Sequence, residues 1–144
     1  MLNPCVYHDS QDAYYRHPFG AVSCGTPIRL RIRIVSETPV KECLLRLWEK
    51  GHREHLMKMK LTKEKRQGTK AWQIYEVIYP GQPEPGLVWY YFRITAGDGR
   101  IFYYGNNEAG LGGVGELKNQ EPPSYQITVY KPSLVPRWFK EGVI

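Results

Sequence analysis

The sequence predicts an all-β fold, an antiparallel β-sandwich, on three observations. Residues 27–35, "PIRLRIRIV", alternate strictly between apolar and basic side chains, the period of a half-buried strand. Several further short runs rich in β-branched and aromatic residues are separated by glycine and proline clusters. No segment sustains a helical period. Seven to nine strands are expected, enough for two packed sheets.

In the first of these strands Ile28, Leu30, Ile32 and Ile34 share the face expected in the core, and Arg29, Arg31 and Arg33 share the other. "VKECLLRLWEK" at 40–50 reads as a second strand, with its period blurred by the apolar block at 43–45. "HLMKMKLT" at 55–62 reads as a third, with Met57, Met59 and Leu61 together. "AWQIYEVIYP" at 71–80 follows the turn at Gly68, and "PGQPEPG" at 80–86 excludes both strand and helix. "LVWYYFRIT" at 87–95 carries the strongest strand signal. "AGDG" at 96–99 reads as a hairpin turn, because Asp-Gly supplies positive φ, and "RIFYYG" at 100–105 returns. "SYQITVY" at 124–130 closes the series. The irregular stretch 105–123 is long enough to suggest a functional loop.

Length and composition suit one domain with a proper core: 144 residues, 42% hydrophobic and 24% charged. Cys5, Cys24 and Cys43 make an odd set with no Cys-x-x-Cys pair, which argues for a reducing compartment. The start lacks the features of a signal peptide, and no apolar run is long enough to cross a membrane; a cytoplasmic protein is expected. The net charge of +6 reads as a solvated face rather than a nucleic-acid surface, since the arginines of 29–33 alternate with core residues.

Little in the sequence points to catalysis. "GLGGVG" at 110–115 satisfies Gly-x-Gly-x-x-Gly, but the residues after it cannot open the helix that a dinucleotide site needs. It reads as a glycine-rich strand connection. His52 and His55 would not converge on a strand or turn, and no cysteine or carboxylate cluster completes a metal site. Asp9, Asp12 and Asp98 sit in turn-like contexts. No catalytic residue, metal ligand or cofactor is expected in this chain. The aromatics of "VWYYFRI" are more informative: Trp89 and Tyr91 point one way and Tyr90 and Phe92 the other. One face belongs to the core. The other is left for a loop, another domain or a stacked sugar ring.

The segment "VPRWFKEGVI" at 135–144 resembles the approach to the catalytic barrel of the α-amylase family of glycoside hydrolases, where Pro-x-Trp-Phe-Lys-x-x-x-Ile runs into a strand. "VYHDSQDAYYRHPFGAV" (6–22), "VWYYFRITAGDGRIFYYGNN" (88–107), "GLGGVGE" (110–116) and "PPSYQITVY" (122–130) resemble the N-terminal β-sandwich domain of neopullulanase-like bacterial enzymes of that family, grouped with family 34 carbohydrate-binding modules. The resemblance implies an immunoglobulin-like sandwich over 1–133 and a linker at 134–144 leading into a barrel beyond this sequence, with Trp138 and Phe139 as interdomain contacts. It implies a parent enzyme cleaving α-1,4 or α-1,6 glucosidic bonds in starch, pullulan or cyclomaltodextrins, with catalytic groups and any calcium in the barrel. For this domain it implies a non-catalytic role in α-glucan binding or in packing on the barrel. The alternative is a structural or dimerisation domain that binds no sugar. For glucan, Tyr14, Tyr15, Tyr104 and Asn106 are the candidate contacts, because they stand in polar, turn-rich surroundings; neither nucleic acid nor membrane is an expected partner.

Overall fold

The computed structural model describes residues 3–49 and 54–132. Among them the chain forms twelve strands: β1 (Cys5–Tyr7), β2 (Arg16–His17), β3 (Val22–Ser23), β4 (Ile28–Ser36), β5 (Val40–Glu49), β6 (Glu54–Lys58), β7 (Lys60–Gln67), β8 (Lys70–Tyr79), β9 (Gly86–Ala96), β10 (Ile101–Gly105), β11 (Glu116–Lys118) and β12 (Tyr125–Tyr130). Twelve exceeds the expected seven to nine; eight of them have five or more residues. The four short ones come from turn-rich sequence that carries no period of its own.

Two sheets pack face to face. The first has the order β1-β4-β8-β7, with β2 also on β4. The second runs β11-β10-β9-β12-β3, with β5 on the other side of β9 and β6 on β5. Neighbours are antiparallel apart from β3 with β12. β9 is the hub. Along one edge it pairs with β5; along the other, residues 86–90 pair with β12 and residues 92–95 with β10. The loop between β10 and β12 therefore leaves and re-joins the sheet at one seam, beside Tyr91.

The alternation in β4 is obeyed. Ile28, Leu30, Ile32 and Ile34 are buried against Leu45, Leu47, Tyr90, Phe92 and Ile94 of the facing sheet. The arginines on the other face are not open to solvent as expected but half-buried. The N-terminal segment lies over them: Arg31 pairs with Glu76 at 2.6 Å and faces the Tyr14 ring, and Arg33 faces the Tyr7 ring. A guanidinium can be half covered at little cost when a carboxylate and an aromatic face replace its water.

The run 55–62 is not one strand. Met59 breaks it, so that β6 pairs with β5 in one sheet and β7 with β8 in the other. Met59 enters the core at this crossing, where its amide donates to the Cys43 carbonyl and the Cys43 thiol reaches its Sδ at 3.6 Å. The other expected turns are present. Gly99 closes the β9–β10 hairpin with φ +89°, and Asp9, Asp12 and Asp98 accept from backbone amides two residues on. The linker 134–144, with Trp138 and Phe139, and residue His52 lie outside the described residues.

Candidate functional site: an aromatic face on the larger sheet

Outward-facing residues of β5 and β9 meet in register. Trp48 stands opposite Trp89, and Arg46 opposite Tyr91. The Cβ atoms of directly opposed residues on neighbouring strands lie about 5 Å apart, so the two tryptophans stand side by side on this face. The row extends on both sides, to Glu54 of β6 next to Trp48 and Gln126 of β12 next to Trp89. Trp48 is exposed and Trp89 half-exposed, whereas Tyr91 is covered. Together with Arg46 and Ser124 the two tryptophans line a shallow groove.

Charged groups around this face hold the rings of Trp48 and Tyr91 in place. The Arg46 guanidinium lies 5.4 Å from the Trp48 ring centre and 5.0 Å from that of Tyr91. It also donates to Glu54 at 2.7 Å. The Tyr91 hydroxyl donates to Glu121 at 2.8 Å; burial, and then this bond, raise the phenol above its ordinary range. Tyr103 meets Tyr91 edge to face. The result is a preformed platform: two indole faces, flanked by an arginine, carboxylates and the Gln126 amide. Rings with few torsions lose little entropy when something settles on them.

The candidates Tyr14, Tyr15, Tyr104 and Asn106 are placed elsewhere, and the expectation that their rings escape the core does not hold for two of them. Tyr15 and Tyr104 are 6% and 1% exposed. They belong to a buried network around His8. The His8 Nδ1–H donates to the Arg31 carbonyl at 2.7 Å, and the Tyr90 hydroxyl donates to Nε2 at 2.9 Å. The Tyr104 hydroxyl donates to the His8 carbonyl and accepts from the Gly115 amide, while that of Tyr125 donates to the Gly113 carbonyl. Burial holds the imidazole neutral, with its pKa lowered to about 3. The polar turns around these tyrosines fold back onto the sandwich and cap its end, so polar neighbours in sequence did not mean solvent in space. Tyr14 is half-exposed, its ring occupied by Arg31 and Lys63. Asn106 is 7% exposed and organises the glycine loop, donating to the Ser124 carbonyl and accepting from the amides of Asn107 and Gly112.

The sequence contained a signal for the platform that a strand-by-strand reading missed. Leu44, Arg46 and Trp48 alternate with Cys43, Leu45 and Leu47, but the block at 43–45 hid the period. Trp48 and Trp89 are far apart in sequence, and only the β5–β9 register joins them.

The glycine motif forms a loop, with Gly110, Gly112 and Gly113 at positive φ. Among the described residues no three His, Cys, Asp or Glu side chains gather as a metal centre.

The described fold is a β-sandwich that carries a partly exposed aromatic face. No family model matches the chain. Over 140 residues, 95% of its length, it is 29% identical to an amylopullulanase of Thermoanaerobacter thermohydrosulfuricus, and over 138 residues it is 27% identical to an amylopullulanase of Thermoanaerobacterium thermosulfurigenes. It spans only 9% and 7% of those two relatives. Among solved structures, a cyclomaltodextrinase shares the fold over 94% of the chain, with a TM-score of 0.57 at 16% identity; the chain spans 21% of that protein. In sequence the chain thus resembles a segment of these amylopullulanases, and it shares its fold with part of a cyclomaltodextrinase.

Proposed function

We propose that this chain is a non-catalytic domain of an α-glucan-degrading hydrolase, and that the Trp48–Trp89 platform binds the glucan. The observation that carries the binding role is the registered indole pair, presented on a rigid sheet and bordered by hydrogen-bonding groups. The C–H faces of a glucose ring pack on an indole face, and its equatorial hydroxyls reach the rim groups Arg46, Glu54 and Gln126. The named relatives, all amylopullulanases, support the choice of an α-glucan over other ligands.

Binding at such a site is weak, because each sugar hydroxyl exchanges water hydrogen bonds for protein ones at little net gain. A Kd in the high-micromolar to millimolar range is expected, about −4 to −6 kcal/mol. Maltoheptaose or β-cyclodextrin titrated into the labelled chain should shift the indole N–H signals of Trp48 and Trp89. Trp48→Ala and Trp89→Ala should each weaken binding about tenfold or more. Saturating sugar that leaves both indole signals in place would refute the platform, and packing on a catalytic barrel or a second subunit would become the better reading of this face.

A further inference from the structure

Next to the platform, across β12, lies a polar cleft of about 380 Å³. Its walls are the N-terminal turn (Ser10, Gln11), the 16–21 segment and the glycine loop at 110–112. Two features make it a built site. Arg16, only 5% exposed, ties the 16–21 wall to β12 by donating to the Gln126 carbonyl and the Gly20 carbonyl. Asn106 fixes the loop wall through the bonds described above. Above this floor Phe19 stands 56% exposed at the mouth of the cleft. The Gln11 side chain is exposed at the rim, beside Gly112 and Gly113.

Gln126 joins this cleft to the platform. Its side chain is the cross-strand neighbour of Trp89 on the outer face, and it also lines the cleft. Trp48, Trp89 and Gln126 stand on three successive strands, so the row already runs about 10 Å before the cleft begins.

We infer that the sugar site is a track rather than a patch: the glucan lies over Trp48 and Trp89, crosses Gln126 and enters the cleft, where Phe19 offers a second stacking ring and Gln11 and Thr128 meet its hydroxyls. This rests on the glucan reading of the platform and adds a selection for length. A disaccharide covers the indoles alone, and a longer maltooligosaccharide engages both parts. The two parts then act as linked sites, and the second contact is made at high effective concentration.

The test is calorimetric titration of the full chain with maltose and with maltohexaose, repeated for Trp89→Ala, Phe19→Ala and Gln126→Ala, with amide shifts recorded in parallel. The unsubstituted chain should bind maltohexaose at least about tenfold more tightly than maltose. Phe19→Ala should remove most of that gap, and maltohexaose alone should shift the amides of Gly20 and Gly110–Gly112. Because the Phe19 ring is exposed, its truncation should leave the melting temperature in place, which separates lost contact from lost fold. If Trp89→Ala weakens both sugars while Phe19→Ala and Gln126→Ala leave the gap intact, the track ends at the platform and this inference fails while the platform stands. If neither sugar moves any signal, the glucan reading fails and takes the track with it.

Discussion

Two residues at the capped end of the sandwich show how much depends on single groups. His8 is enclosed and neutral, with both ring nitrogens satisfied. In the unfolded chain its pKa is near 6.5, and in the fold it is lowered to about 3. Between those values the unfolded state binds a proton that the folded state refuses. The stability linked to His8 is therefore complete above pH 6.5 and is lost as pH falls through the window, by roughly 5 kcal/mol at most. Urea unfolding at pH 7, 5.5 and 4 should show this fall, and it should be shallower in His8→Gln than in the parent chain. Equal slopes would mean that the histidine is not enclosed. Gly115 is the second case. A Cβ there would run into the Gly105 carbonyl oxygen and the Tyr125 hydroxyl, and would stand 2.9 Å from Tyr104 Cε1. Gly115→Ala should cost about 3 kcal/mol, at the upper end of overpacking changes. Gly110 has open space around it but φ +69°, so Gly110→Ala should cost only about 1–2 kcal/mol. Chemical denaturation of the two variants tests the ranking, and a reversed order would place the glycine loop away from the tyrosine hydroxyls.

At the scale of elements, β4 was legible because one rule governs it. Alternation assigned its four aliphatic residues to the core, and Ile32→Ala should cost about 2–5 kcal/mol in thermal or urea unfolding. The other face of β4 was less legible. Nothing in "RLRIR" shows that Tyr7 and Tyr14 will be laid over it by a segment that is mostly turn. With the Glu76 pair and the Tyr14 ring lost, Arg31→Ala should cost about 1 kcal/mol, where a solvated arginine would cost nothing. Comparable losses from Ile32→Ala and Arg31→Ala would refute the register. Met59 was hidden for another reason. Alternation continues through it, and the change of sheet comes from where β5 and β8 sit, which no local period records. The platform was half legible. "VWYYFRI" announced a spare aromatic face, but its partner Trp48 came from a strand whose period was blurred. The burial of Tyr15 and Tyr104 was not legible, because their polar neighbours in sequence are the lid of the core.

At the scale of the whole molecule, the hub position of β9 ties the loop 105–124, the platform and the cleft to one rigid strand, so the proposed contacts share a single frame. The same architecture leaves free edges. At most of them the terminal strand has two or three residues, too short to template another sheet. β7 is different: it has eight residues, all exposed, and pairs only with β8. Such an edge can recruit a second copy of itself, strand to strand, at high concentration. It carries Lys60, Lys63, Lys65 and Arg66 against the single carboxylate of Glu64, so a second copy laid along it brings one net positive edge against another. The basic stretch supplies much of the net charge, and like charge on that edge opposes pairing between copies. Replacing Lys60, Lys63 and Lys65 together by threonine should leave the melting temperature nearly unchanged, yet light scattering should then rise with protein concentration at moderate salt. Salt alone should produce a milder version in the parent chain, because screening weakens the repulsion without removing it.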